Sequence, residues 1–282
     1  MIKLERVRTT EAITSGMRGT KRVNKNLLLL RGTQNGNLKF TKANSYWKPA
    51  KPQLRKEAQS KCAYCEADTA VVAHGDVEHF CPKSIYWWLA YCYDNFLFSC
   101  QICNESFKGD QFPLHDTAFP APALPAVNAT EAQLRTSASR FSPDPLNDAE
   151  GLPMADFLAA LKSEKAALPN PYLIDPEPFF KWEADPVNKE VSLKPRNTTL
   201  ACRRAFAAAD KVLGLNREEL RRTRWLEYRK LETFKQSFLS PQIDAVLRAQ
   251  IKNMLEAMTD ASAPFAGMAR YFVKVEWQLN LT

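Results

Sequence analysis

The chain is 282 residues long, 45% hydrophobic and 25% charged. That is enough apolar content to fill a core, and no apolar run approaches the roughly 18 residues of a membrane helix. Lys and Arg outnumber Asp and Glu by 39 to 31, a formal +8 that favours a polyanionic partner without identifying one. Seven cysteines, an odd count, behind a start (MIKLERVRTT) with no apolar signal core, imply a reducing, cytoplasmic setting and argue against a disulfide framework.

Residues 1–60 form a basic lead-in. The stretches RGTKRVNKNLLLLRG and YWKPAKPQLRKEAQSK mix cations with apolar and aromatic residues, and a solvated face fits them as well as a nucleic-acid groove. A short helix is predicted from Lys51 to Ser60, with Pro52 in its first turn.

Residues 61–114 hold the densest chemistry. Cys62-x2-Cys65 and Cys100-x2-Cys103 are two knuckles, and a two-residue spacing lets both sulfurs of each face one ion. Four thiolates give zinc a closed tetrahedron with no open position, so the zinc is structural and any chemistry lies elsewhere. Such a centre carries a charge of minus two, which lowers the effective basicity of the fold. The 34 residues between Cys65 and Cys100 are a substantial insert. Within it GDVEHFCPK alternates, with Val77 and His79 on one face and Glu78 and Phe80 on the other, and predicts a short strand. A second strand is predicted over Asn95–Ser99, then a helix from near Cys100 with Asn104 and Lys108 on one face. Cys81, Cys92 and Cys202 read as core thiols, and His74 and His115 as turn residues. Trp87, Trp88, Tyr91 and Tyr93 read as core, with base stacking the second possibility.

Proline recurs through residues 115–197, so this region is predicted to be loop-rich, with one helix around Ala155–Ala167. Residues 198–282 predict a helical subdomain of three helices. Asn216 and Glu219 look like a capping box, and Leu220, Trp225, Leu226 and Tyr228 supply an apolar face. Arg203, Arg204, Arg221, Arg222 and Arg224 can line a groove, a solvated face or a partner surface. The fold class is therefore α+β, mostly helical.

Glu78 and His79 of VEHF, Asn95 of DNFLFSC and Asn104 of CQICNESFK resemble the HNH endonuclease motif on a ββα-metal finger, here braced by the zinc knuckles. The resemblance spans nearly the whole chain, through CAYCE, HGDVEHFCPK, SCQICNESFKGDQFPL, NPYLIDPEPFF, VLGLNREELRRTRW and PFAGMARYFV. It is to a family of HNH proteins that serve as the nuclease partner of an ATPase in Septu-type anti-phage defence and in some retron systems. The resemblance implies hydrolysis of DNA phosphodiester bonds to 5′-phosphate and 3′-hydroxyl ends. It makes His79 the general base, Glu78 and Asn104 the ligands of one Mg²⁺ or Mn²⁺ ion, and Asn95 the holder of the loop carrying His79. Lys83 or Lys108 would contact phosphate. Glu78 stands where the motif most often has Asp, and Asn104 where many members have His. A catalytically inactive, zinc-stabilised adaptor for nucleic acid or protein is the competing reading, and a redox switch on the spare cysteines a third. The C-terminal helices, larger than support of a small finger requires, are the expected ATPase interface.

Overall fold

The computed structural model describes residues 1–69, 74–114 and 118–281; His115 lies outside the described residues. Two antiparallel two-stranded ladders are set among helices, an α+β architecture with small sheets. From the N-terminus come α1 (Gly19–Gln34) and α2 (Lys51–Glu57). Then follow β1 (Asp76–His79), β2 (Phe96–Ser99) and a short helix, Ile102–Lys108, wound with the wider π repeat. Among the described residues no helix is long and apolar enough to cross a membrane.

The β1–β2 ladder is the frame of the site. Its register sets Val77 opposite Phe98, Glu78 opposite Leu97 and His79 opposite Phe96, and every residue of β2 is buried. Chain enters β1 through Gly75 at φ +58°, where a Cβ would lie 2.3 Å from the Phe98 ring, so only glycine can pass there. The predicted shared face of Asn104 and Lys108 is not observed. The Gly109 N–H bonds to the Asn104 carbonyl, an i to i+5 step. Asn104 lines the cleft, whereas Lys108 is fully buried against Glu78.

The proline-rich middle holds more regular structure than its composition suggests. The predicted helix is present as α4 (Met154–Ser163), and a second, α3 (Glu131–Ser139), precedes it, starting at a capping box of Thr130 with Gln133. A hairpin of β3 (Phe180–Asp185) and β4 (Glu190–Pro195) follows, with Phe180, Trp182, Val191 and Leu193 buried. Its turn is held by Asp185, whose carboxylate accepts from the N–H groups of Val187 and Asn188.

The C-terminal part contains α5 (Leu200–Lys211), α6 (Glu218–Leu239) and α7 (Ala245–Thr259), as predicted, and adds α8 (Ala266–Arg270), which continues as π-wound Tyr271–Glu276. Arg217, not Asn216, occupies the N-cap of α6. Asn216 instead straddles β4, accepting from the Leu193 N–H at 2.8 Å and donating to the Leu193 carbonyl at 3.0 Å. Leu220, Trp225, Tyr228 and Leu231 form the buried face, while Leu226, six residues after Leu220 and off that stripe, is 63% exposed.

Several basic residues are structural. Arg6 lies over the Tyr172 ring at 3.5 Å and pairs with Glu57 at 3.0 Å, tying the first residues to α2. Arg22 is buried against Asp144 and donates to the carbonyls of Ser139, Ser142 and Glu150. Neither is free for a polyanion.

Candidate metal centre and catalytic cleft

The cysteine knuckles are built from two tight turns flanking the ladder. The Ala63 N–H bonds to the Phe98 carbonyl at 2.9 Å, which stitches the first knuckle to β2, and the Cys103 N–H points at the Cys100 sulfur at 3.4 Å. The sulfurs of Cys62, Cys65, Cys100 and Cys103 all lie within 4.8 Å of one another, with Cys65 and Cys100 at 3.9 Å. Four ligands about 2.3 Å from a zinc ion would stand about 3.8 Å apart, so the donor set fits the ion. All four residues are buried. Burial pushes the Cys62 thiol up, whereas hydrogen bonds, from Cys103 first, hold Cys100 down, so protons are shared unequally among four sulfurs packed against each other.

Sequence reasoning missed what surrounds this centre. Arg217 reaches the Cys103 sulfur at 3.6 Å and lies over Phe107. The turn that delivers it passes Gly214 at φ +59°, where a Cβ would strike the Phe107 ring at 2.3 Å. Arg224, with no exposed surface, donates to the Leu215 carbonyl at 2.6 Å and lies over Trp182 at 4.6 Å, leaving Nε and Nη2 without hydrogen-bond partners. Burial pulls its guanidinium down to about 10 against the opposing pull of Cys65. Two cations, Arg217 from the turn before α6 and Arg224 from α6, thus stand where they would offset the excess charge of four thiolates on a metal ion. Arg221 pairs with Glu190 and Arg222 with Glu218.

Tyr64, inside the first knuckle, connects the metal centre to the catalytic candidates. Its hydroxyl donates to Glu78 Oε1 at 3.4 Å. The same oxygen lies 2.6 Å from Lys108 Nζ in a pair that is 0% and 3% exposed. Burial raises the Glu78 carboxyl, and Lys108 opposes that rise. Lys108 also donates to the His79 carbonyl at 3.0 Å. The phosphate contact expected of Lys108 is therefore not what this arrangement provides: its ammonium points into the protein, where it holds Glu78 and the end of β1.

His79 is 6% exposed, with its ring edge-on to Trp47 at 4.8 Å and to Phe96 at 5.1 Å. Its Nε2 lies 3.0 Å from the Ala90 carbonyl. A carbonyl only accepts, so Nε2 carries the proton and Nδ1 keeps its lone pair. Burial, reinforced by Lys83, pushes the imidazole down to about 3, so it is neutral at pH 7. Asn95 clamps the segment beyond it. Its side-chain oxygen accepts from the Cys81 N–H at 2.8 Å, and its amide donates to the carbonyls of Cys81 at 3.0 Å and Leu89 at 3.3 Å. The Cys81 and Cys92 thiols are core, as is Cys202, and Trp88, Tyr91 and Tyr93 are buried rather than presented to a base.

Glu78, His79, Lys83 and Asn104 line one cleft of about 900 Å³; Asn95 supports it from behind. Trp47, Lys48 and Lys51, from the basic lead-in, form part of its lining, together with Asp76, Glu105, Asp110 and His74. Nothing local in the sequence marks Trp47, Lys48 or Lys51 for this place, since a long-range packing contact brings them there. Lys83 lies over the rings of Trp47 at 5.5 Å and Phe40 at 6.0 Å. Burial raises the Asp76 carboxyl, Glu105 adds to the rise, and Lys51 and a hydrogen bond from Asn104 oppose it.

Over 83 residues the chain is 36% identical to the Septu protein PtuB of Bacillus mycoides (strain KBAB4), a match covering 25% of this chain. The aligned part spans 28% of that relative's own length. No family model matches the chain, and no solved structure matches it. What the chain shares with a known protein is thus a partial similarity to a Septu component, alongside a buried four-cysteine cluster that can hold zinc.

Proposed function

We propose that this protein is a metal-dependent HNH-type endonuclease that hydrolyses DNA phosphodiester bonds as the effector of an anti-phage defence system, working with an ATPase partner. The observation that carries the reading is His79. A neutral imidazole, its Nε2 proton committed to Ala90, borders a polar cleft beside Glu78, Asn104 and Lys83. Nδ1 accepts a proton from the attacking water, Asn95 fixes the loop that holds the ring in place, and Lys83 attracts the phosphate. Glu78 and Asn104 offer one carboxylate and one amide oxygen, the sparse hard donor set that suits Mg²⁺ or Mn²⁺. Such an ion, when bound, supplies positive charge at the scissile oxygens. The four cysteines hold structural zinc. The defence role rests on the similarity to the Septu protein. For the ATPase, the outward side of α6 and α7 offers Leu226, Val246 and Met254, each more than half exposed.

Wild-type protein, alone or with the ATPase, should cut DNA when Mg²⁺ or Mn²⁺ is added, and His79→Ala should abolish cutting with zinc content and fold intact. Full cleavage by that variant refutes the mechanism. Replacing Leu226 and Val246 by Glu should abolish co-purification with the ATPase, and unimpaired co-purification rejects that interface. One observation favours the inactive adaptor instead: Lys108 already occupies an oxygen of Glu78 at 2.6 Å. That reading requires nucleic-acid binding without turnover at any divalent concentration.

A further inference from the structure

The cleft is lined by both signs of charge. Trp47, Lys48 and Lys51 come from adjacent positions ahead of and at the start of α2, and Lys83 is drawn to them by the Trp47 ring. The short helix and the turn after it contribute Gln101, Asn104, Glu105 and Asp110 to the same lining. Asp76 lies in the same lining. Among the described residues, Lys48, Lys51 and Lys83 make no carboxylate contact within 4 Å, in contrast to Lys108, Arg6 and Arg22, whose charges are spent inside the fold. Three cations are therefore left facing the cleft while their neighbours are neutralised.

A duplex carries a phosphate backbone on both strands, about one charge per 1.7 Å of axis. Seated over His79 it would bring one backbone to the lysines and the other toward Glu105 and Asp110, where like charges repel. The cleft volume of about 900 Å³ lies near the top of the roughly 300–1,000 Å³ range of small-ligand pockets, room for a few nucleotides of one strand. The Trp47 ring is in contact with Lys83 at 5.5 Å, Tyr91 at 6.2 Å and, edge-on, the His79 imidazole at 4.8 Å, so it positions a cation and the imidazole.

We propose that the cleft takes an unpaired nucleic-acid strand, whose phosphates lie along Lys48, Lys51 and Lys83 while the carboxylates of Glu105 and Asp110 exclude a second strand. This rests on the nuclease reading of the same site and names its substrate class. The test uses full-length His79→Ala protein, so that binding is measured without hydrolysis, and single-stranded DNA, single-stranded RNA and the matching DNA duplex over a salt series. The unpaired strands should bind at least tenfold more tightly than the duplex, and the DNA and RNA arms show which sugar is preferred. Adding Lys48→Gln and Lys51→Gln should weaken single-strand binding and lower the log–log salt slope by about 1.4, two lost phosphate contacts at about 0.7 each. Adding Glu105→Gln and Asp110→Asn instead should narrow the gap between duplex and single strand. Equal or tighter duplex binding, or a salt slope untouched by the lysine changes, overturns the proposal. Strand-selective binding combined with a wild-type protein that never cuts would retain this inference and reject the nuclease reading.

Discussion

The four-cysteine cluster and the cleft share one four-residue ladder and manage charge in opposite ways. Around the sulfurs, negative charge is met by Arg217 and Arg224, brought from more than a hundred residues away and buried or half-buried there. In the cleft, one buried carboxylate is met by a buried lysine from the next element, and three further lysines are left toward solvent. The lesson is that this chain's basic residues divide into those that complete the fold and those that wait for a ligand. A net charge of +8 cannot tell the two apart.

Four changes would break or sharpen that contrast. Cys103→Ser removes one of four metal ligands, and the loss of coupled metal and folding free energy is on the order of 10 kcal/mol. Zinc content and circular dichroism should collapse together, and a folded, zinc-free variant would deny the centre its structural role. Lys108→Met strands the Glu78 carboxylate in the core and should cost about 3–5 kcal/mol in urea unfolding, with Glu78→Gln added in the same chain restoring much of it. No recovery in the double variant would mean that the two side chains are not coupled. Arg217→Ala should weaken zinc retention against a chelator by about tenfold to a hundredfold while the cleft is unaffected, and unchanged retention would remove Arg217 from the metal's surroundings.

The smallest effect is in the pH dependence. His79 is held neutral in the fold, with its pKa pushed down to about 3, whereas the unfolded chain takes up a proton near 6.5. Folding stability from this group is therefore full above about pH 6.5 and is lost as the pH falls from there toward 3, by at most about 1.4 kcal/mol per unit. Unfolding midpoints compared between wild type and His79→Asn at pH 7.5 and 5.5 should show the wild type losing more. Parallel losses would mean that the imidazole is not shielded from protonation.

Much of the local architecture was legible in the sequence. The x2 spacing of the knuckles, the alternation through Val77 and His79 and the periodicity after Thr198 each reflect short-range geometry, and short-range geometry leaves a local mark. The hairpin of β3 and β4 was readable in principle, from the alternation of Phe180, Trp182 and Ala184 and the turn-forming Asp185, but flanking prolines masked it. Other features depend on where distant segments meet. Lys108 turns inward to Glu78 and the His79 carbonyl, and no residue type announces that pairing. Arg6, Arg22 and Arg224 look like surface cations until their carboxylate, carbonyl and aromatic partners are known. Trp47, Lys48 and Lys51 join the site only because α2 packs beside the ladder.

Asn216 has a consequence for how the molecule keeps apart from copies of itself. A two-stranded sheet presents two open edges, each a template on which another chain can add a strand. At Leu193 the side-chain amide of Asn216 takes both backbone groups of the outer edge of β4, acting as a single rung of a missing third strand. One residue in the turn before α6 thus occupies, from outside the sheet, the two backbone groups of Leu193 that an added strand would need.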